Sequence, residues 1–139
     1  MTVGERDDLA EAWVRIKDLV LQNNVRVEVS EALGLSFIKV RALRRLLAGP
    51  LAMRELAAEL VTDKPYVTLV VDALEHKGLV ARTVSPHDRR RRIVTLTEAG
   101  RAAAERAEEI LNRPPAALAA LSPDDLAELN RILGAPPRG

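Results

Sequence analysis

Apolar residues recur along this chain at helical intervals, interrupted late by two short β-type runs. Leu9, Ala12, Trp13, Ile16, Leu19 and Val20 share one face, which predicts a long helix over residues 7–33, stopped by Gly34. Val25, Val27 and Val29 are β-branched and favour a bend near its end. Ser36 is placed to cap a second helix to about Ala48, and Gly49-Pro50 ends it. A short third helix over 52–61 has no obvious capping residue. Thr62 or Asp63 can cap a fourth, with Pro65 in a first turn that needs no amide hydrogen there, and Gly78 closes it. Val67, Val70, Val71 and Leu74 form its apolar stripe, while Tyr66, Thr68, Leu69 and Asp72 fall elsewhere on its surface.

Leu79–Val84 and about Arg91–Leu96 read as two strands joined by a turn. Thr97 caps a fifth helix to about Arg113, and Pro114-Pro115 breaks or kinks it. Ala116–Leu121 is apolar and compatible with helix. Ser122-Pro123-Asp124-Asp125 begins a last helix: a cap, a proline in the first turn, then acids that suit the positive end of the helix dipole. It ends near Leu133-Gly134, with a frayed tail expected over 135–139. The fold class is mostly α with a small β-hairpin (α+β). Two short helices at a tight junction followed at once by a hairpin give the order of a winged helix-turn-helix, flanked by helices at both ends. One domain over 1–139 is expected, with no internal repeat and no long linker.

Composition narrows the function. The net charge is only +1, so any claim on nucleic acid rests on where the charge lies. Between Arg82 and Arg92 five arginines face one aspartate, a local excess of +4. Four of the five, Arg89 to Arg92, fall on the predicted hairpin turn and the start of its second strand. The absence of cysteine excludes a disulfide framework, a cysteine–zinc site and a thiol switch, and suits a cytoplasmic location. No run approaches a membrane span, and the first residues lack the order of a signal peptide. Trp13, Phe37 and Tyr66 are the only aromatics, which disfavours recognition of single strands by base stacking.

The fourth helix is a candidate recognition helix, because such helices meet base edges in the major groove through their N-terminal residues. Lys64, Pro65, Tyr66 and Thr68 are so placed. Lys64 can meet phosphate or guanine, Thr68 a base or a phosphate, and Tyr66 a phosphate or a thymine methyl. Taken alone, an amphipathic helix is more often plain scaffold and a charge run plain solvated surface. The hairpin following the helix tips the balance. Asp88 stands two residues before Arg90 and can aim its guanidinium. An aimed arginine at a hairpin tip can enter a narrow minor groove, leaving Arg89 and Arg91 for phosphates. His76 and His87 have no acid at metal-ligand spacing, so no metal or cofactor is expected. No nucleophile elbow, phosphate loop or dinucleotide fingerprint occurs, which argues against an enzyme.

These residues resemble the MarR (multiple antibiotic resistance regulator) family of bacterial transcription regulators. The resemblance is carried by Glu55-Leu56-Ala57, Asp63-Lys64, Val67-Thr68, Leu74-Glu75-x-Lys77-Gly78-Leu79-Val80-x-Arg82 and Pro86-x-Asp88-Arg89-Arg90-x-x-x-Val94-x-Leu96-Thr97-x-x-Gly100. The last stretch is similar to the family's wing signature. The resemblance implies a homodimer joined by helices at about 7–33 and 98–133, with winged lobes at about 36–96 reaching successive major grooves of a pseudo-palindrome. It also implies a small aromatic or anionic ligand that releases DNA. Two departures stand out. Family members often carry arginine at the positions of Leu69 and Ala73, so Leu69 would contact a thymine methyl instead, or specificity would lean on the wing. Pro114-Pro115 interrupts a usually long helix. The expected function is thus a sequence-specific regulator of double-stranded DNA, in repressor form; the alternative is a winged-helix protein-interaction module with weakened DNA binding, which an apolar outer face at Leu69 and Ala73 would suit.

Overall fold

The computed structural model describes residues 3–134, so the tail expected to fray lies outside the described residues. The chain divides into two compact units, one of residues 25–112 and one formed by the segments on either side.

In the flanking unit, α1 spans Val3–Gln22, α7 spans Ala116–Ala119 and α8 spans Pro123–Gly134. Leu9, Trp13, Ile16 and Val20 of α1 are exposed, as are Ile132 and Leu133 of α8. Ser122 caps α8 as its sequence suggests, its Oγ accepting the Asp125 N–H at 3.1 Å.

The central unit contains α2 (Val25–Leu33), α3 (Phe37–Leu46), β1 (Leu51–Ala52), α4 (Met53–Glu59), α5 (Lys64–His76), β2 (Val80–Val84), β3 (Arg92–Leu96) and α6 (Glu98–Leu111). The helix expected over 7–33 is therefore two helices, parted at Asn23-Asn24. Asparagine side chains compete for backbone hydrogen bonds, so the break falls there and not in the valine run that follows. Valines 25, 27 and 29 sit inside α2, and Val29 is fully buried.

The core gathers Val29, Val40, Leu43, Leu46, Leu56, Val67, Val71, Leu74, Val94, Ala104 and Ala107. The stripe expected on α5 is buried as a set. Ala104, Ala107 and Ile110 of α6 also enter this core, so α6 packs on the central unit instead of lying free. Arg44 Nε of α3 meets Glu108 Oε1 of α6 at 2.6 Å, and this contact holds the Glu108 carboxyl below the usual carboxylate range.

The sheet has three antiparallel strands in the order β1-β3-β2, one more than the sequence pattern indicates. Leu51 pairs with Val94 and Ala52 with Ile93. A two-residue strand between Pro50 and a helix is too short to show any alternation. In the hairpin, Val80 faces Leu96, Arg82 faces Val94 and Val84 faces Arg92.

Candidate nucleic-acid interface

Helix α5 starts where a carboxylate can hold it. Asp63 Oδ1 accepts the Tyr66 N–H at 2.8 Å, and Pro65 occupies the first turn. With Val67, Val70, Val71 and Leu74 turned into the core, helical periodicity puts Lys64, Pro65, Tyr66 and Leu69 outward, and all four are exposed. Thr68 is half-buried, and its hydroxyl donates to the Lys64 carbonyl at 2.9 Å. Its oxygen keeps acceptor capacity, while its proton is committed to the helix. The Lys64 ammonium makes no ion pair among the described residues.

The wing tip is built by its own side chains. The Ser85 N–H donates to the Arg91 carbonyl at 2.9 Å, and the Arg91 N–H to the Asp88 carbonyl at 3.0 Å. Ser85 is buried, and its Oγ accepts the His87 N–H at 3.2 Å. Asp88 Oδ1 accepts the Arg90 N–H at 3.0 Å and approaches Arg90 Nε at 3.4 Å. The Arg90 side chain stays 93% exposed, so it projects from a fixed base into solvent.

The four consecutive arginines are not equivalent. Arg89 carries no ion pair among the described residues. Arg91 Nη2 lies 3.8 Å from Glu55 Oε1 in the first turn of α4. That same carboxylate oxygen accepts the Ala52 N–H at 3.1 Å, which supplies the cap that the sequence of this helix lacks. Arg92 Nη1 donates to the Arg89 carbonyl at 3.3 Å.

Arg82 corrects the sequence-based charge count. Its guanidinium lies 2.5 Å from Asp72 Oδ1 and 2.9 Å from Glu75 Oε1, both on α5, and its N–H donates to Glu75 Oε2 at 3.2 Å. The Arg82 hydrogen bond lowers the Glu75 carboxyl, and Glu75 in turn raises Arg82. Arg82 is thus a brace between the recognition-type helix and the wing, and the local excess falls from +4 to +3. Opposite charges seven residues apart across a helix-to-strand turn were the only sequence signal for it.

Close approach fixes the other end of the hairpin. Thr97 Oγ1 donates to the Gly78 carbonyl at 2.6 Å and accepts the Gly100 N–H at 3.0 Å. A Cβ at Gly100 would stand 1.7 Å from the Leu79 carbonyl oxygen, so only glycine fits there.

A groove of about 320 Å³ on the central unit is lined by Leu33, Leu35, Leu79, Ala103 and Arg106, among others. No cluster of three or more His, Cys, Asp or Glu that could hold a metal occurs among the described residues. No described helix is long and apolar enough to cross a membrane.

Comparison with known proteins agrees with this geometry. Residues 33–91 match the model of the MarR family. The HTH-type transcriptional repressor Rv2887 of Mycobacterium tuberculosis is 37% identical over 114 residues, covering 78% of this chain and 82% of that protein. The HTH-type transcriptional repressor Mb2911 of Mycobacterium bovis matches to the same extent, 37% over 114 residues. Among solved structures, the transcriptional regulator BldR from Sulfolobus solfataricus superposes with a TM-score of 0.60 at 28% identity, covering 96% of this chain and 98% of that one. YusO from Bacillus subtilis has a similar fold, with a TM-score of 0.73 at 24% identity and 96% of each chain covered. The MepR–DNA complex of Staphylococcus aureus also shares the fold, with a TM-score of 0.62 at 22% identity, covering 89% of this chain and 97% of that one.

Proposed function

From the premise that this chain belongs to the MarR family of DNA-binding, non-enzymatic transcription regulators, we propose that it is a homodimeric repressor of a pseudo-palindromic operator. The observation that carries this reading is the pairing of an outward α5 surface with an arginine-tipped wing braced to it through Arg82. Lys64, Pro65, Tyr66, Thr68 and Leu69 enter the major groove. Asp88 aims Arg90 at the adjacent minor groove, where the potential is most negative. Arg89 and Arg91 take phosphates. The names of the mycobacterial relatives support repression over activation.

Dimerisation is supported by the exposed apolar residues of α1 and α8, which a monomer would leave in water. Two-fold symmetry then sets half-site centres about 10 bp apart. The groove at Leu33, Leu79 and Arg106 suits a small aromatic anion, with apolar walls and one guanidinium, and such a ligand would release DNA. A cytoplasmic setting follows from this role.

Selection of bound duplexes from a random pool tests the proposal. A two-fold symmetric site should be enriched. Equal weak binding of all duplexes would rule out site-specific repression and favour the interaction-module alternative.

A further inference from the structure

The major-groove face of α5 carries almost no hydrogen-bonding chemistry. Residues 64–76 contain no Arg, Asn or Gln, the side chains that read guanine or adenine bidentately. Asp72 and Glu75 are occupied by Arg82. The Thr68 proton is given to the Lys64 carbonyl. What remains outward beyond Lys64 on the first two turns is Pro65, Tyr66 at 44% exposure and Leu69 at 64%; the one other exposed polar side chain not held by Arg82, His76, is the last residue of the helix. Tyr66 and Leu69 stand three residues apart, and Pro65 and Leu69 four, so they form one ridge.

The major groove offers one apolar feature to such a ridge, the C5-methyl of thymine. Positive charge at Lys64, adjoining the ridge in sequence, and on the exposed wing arginines fits a duplex and not an apolar protein partner. We infer that α5 reads thymine methyls, with Leu69 as the principal specificity-determining residue, so that each half-site carries A·T pairs beneath this helix. This rests on the DNA-binding reading above and specifies which bases it selects.

The test uses the full chain and the duplex enriched from a random pool. Each half-site thymine is replaced in turn by deoxyuridine, which removes the methyl and leaves base pairing intact. One or two replacements should weaken binding about three- to fivefold each, as expected for an apolar carbon returned to water. Leu69→Ala should make thymine and deoxyuridine equivalent at one of those positions, with unchanged melting because Leu69 lies on the surface. An enriched site with G·C pairs beneath α5, or deoxyuridine replacements without effect, would overturn the inference while leaving site-specific binding intact. So would Leu69→Ala that keeps the full thymine preference. A pool with no enriched duplex would instead overturn the repressor proposal, and this inference with it.

Discussion

The Arg82 guanidinium on β2 lies 2.5 Å from Asp72 Oδ1 on α5 and also binds Glu75 one turn further on. The wing is thereby held at a set angle to the helix before it. Arg82→Ala should leave the protein folded but lower operator affinity severalfold, through a looser wing, as measured by fluorescence anisotropy. The effect should depend on pH. The folded Glu75 carboxyl is held low by Arg82, so the bond is present above the ordinary carboxylate range and is lost as pH falls through the folded value. The melting difference between wild type and Arg82→Ala should therefore close in acid. A difference constant from neutral pH down to about pH 3 would contradict the brace.

Arg90→Ala should weaken operator binding and reduce the magnitude of the log–log salt slope by up to about 1.8, about 0.9 for the cation lost from each half-site of the dimer. Asp88→Ala should mimic part of this loss, because the anchoring oxygen at 3.0 Å from the Arg90 N–H is gone. Unchanged affinity and slope for Arg90→Ala would remove it from the interface.

Gly100→Ala tests the seam between α6 and the hairpin. A methyl 1.7 Å from the Leu79 carbonyl oxygen and 2.8 Å from its carbonyl carbon meets main chain and not a side chain that could turn away, so a main-chain shift is required. A loss of about 3 kcal/mol is expected, at the upper end of overpacking costs, lowering Tm by roughly 6–12 °C. Thermal denaturation followed by circular dichroism measures it.

Val61 lies in the turn two residues after α4, with φ at 53° and 87% exposure. A β-branched residue in the left-handed region is strained by about 1–2 kcal/mol, and no burial offsets it here. Val61→Gly should raise stability by about 0.5–1 kcal/mol, after allowance for the greater freedom of glycine in the unfolded chain. A lower urea midpoint would show that the valine is better accommodated than its backbone angle implies.

Trp13→Glu places charge on an exposed apolar face of α1. Sedimentation should show a monomer with weakened operator binding and an intact central unit. A variant that remains dimeric would move the interface away from this face.

The winged core was legible because its signals are local. Asp63 before Pro65, the stripe at Val67, Val70, Val71 and Leu74, and Thr97 before Gly100 each act within one or two turns, where propensity and capping operate. The wing anchor was legible for the same reason, since Asp88 and Arg90 are two residues apart. The candidate surface of α5 followed by subtraction from its buried stripe.

What required tertiary structure acts between segments distant in the chain or too short for a period. β1 exists only through its partner β3, forty residues on. Arg82 looked like available charge until folding set it against Asp72 and Glu75. Arg91 and Arg89 look identical in sequence, yet only Arg91 lies near Glu55 of α4. Periodicity and capping are properties of neighbouring residues, so the sequence alone determined α3, α5, the two hairpin strands, α6, α8 and the arginine-bearing turn. Which charges remain free for a ligand depends on packing across those elements, and only the tertiary structure decided that.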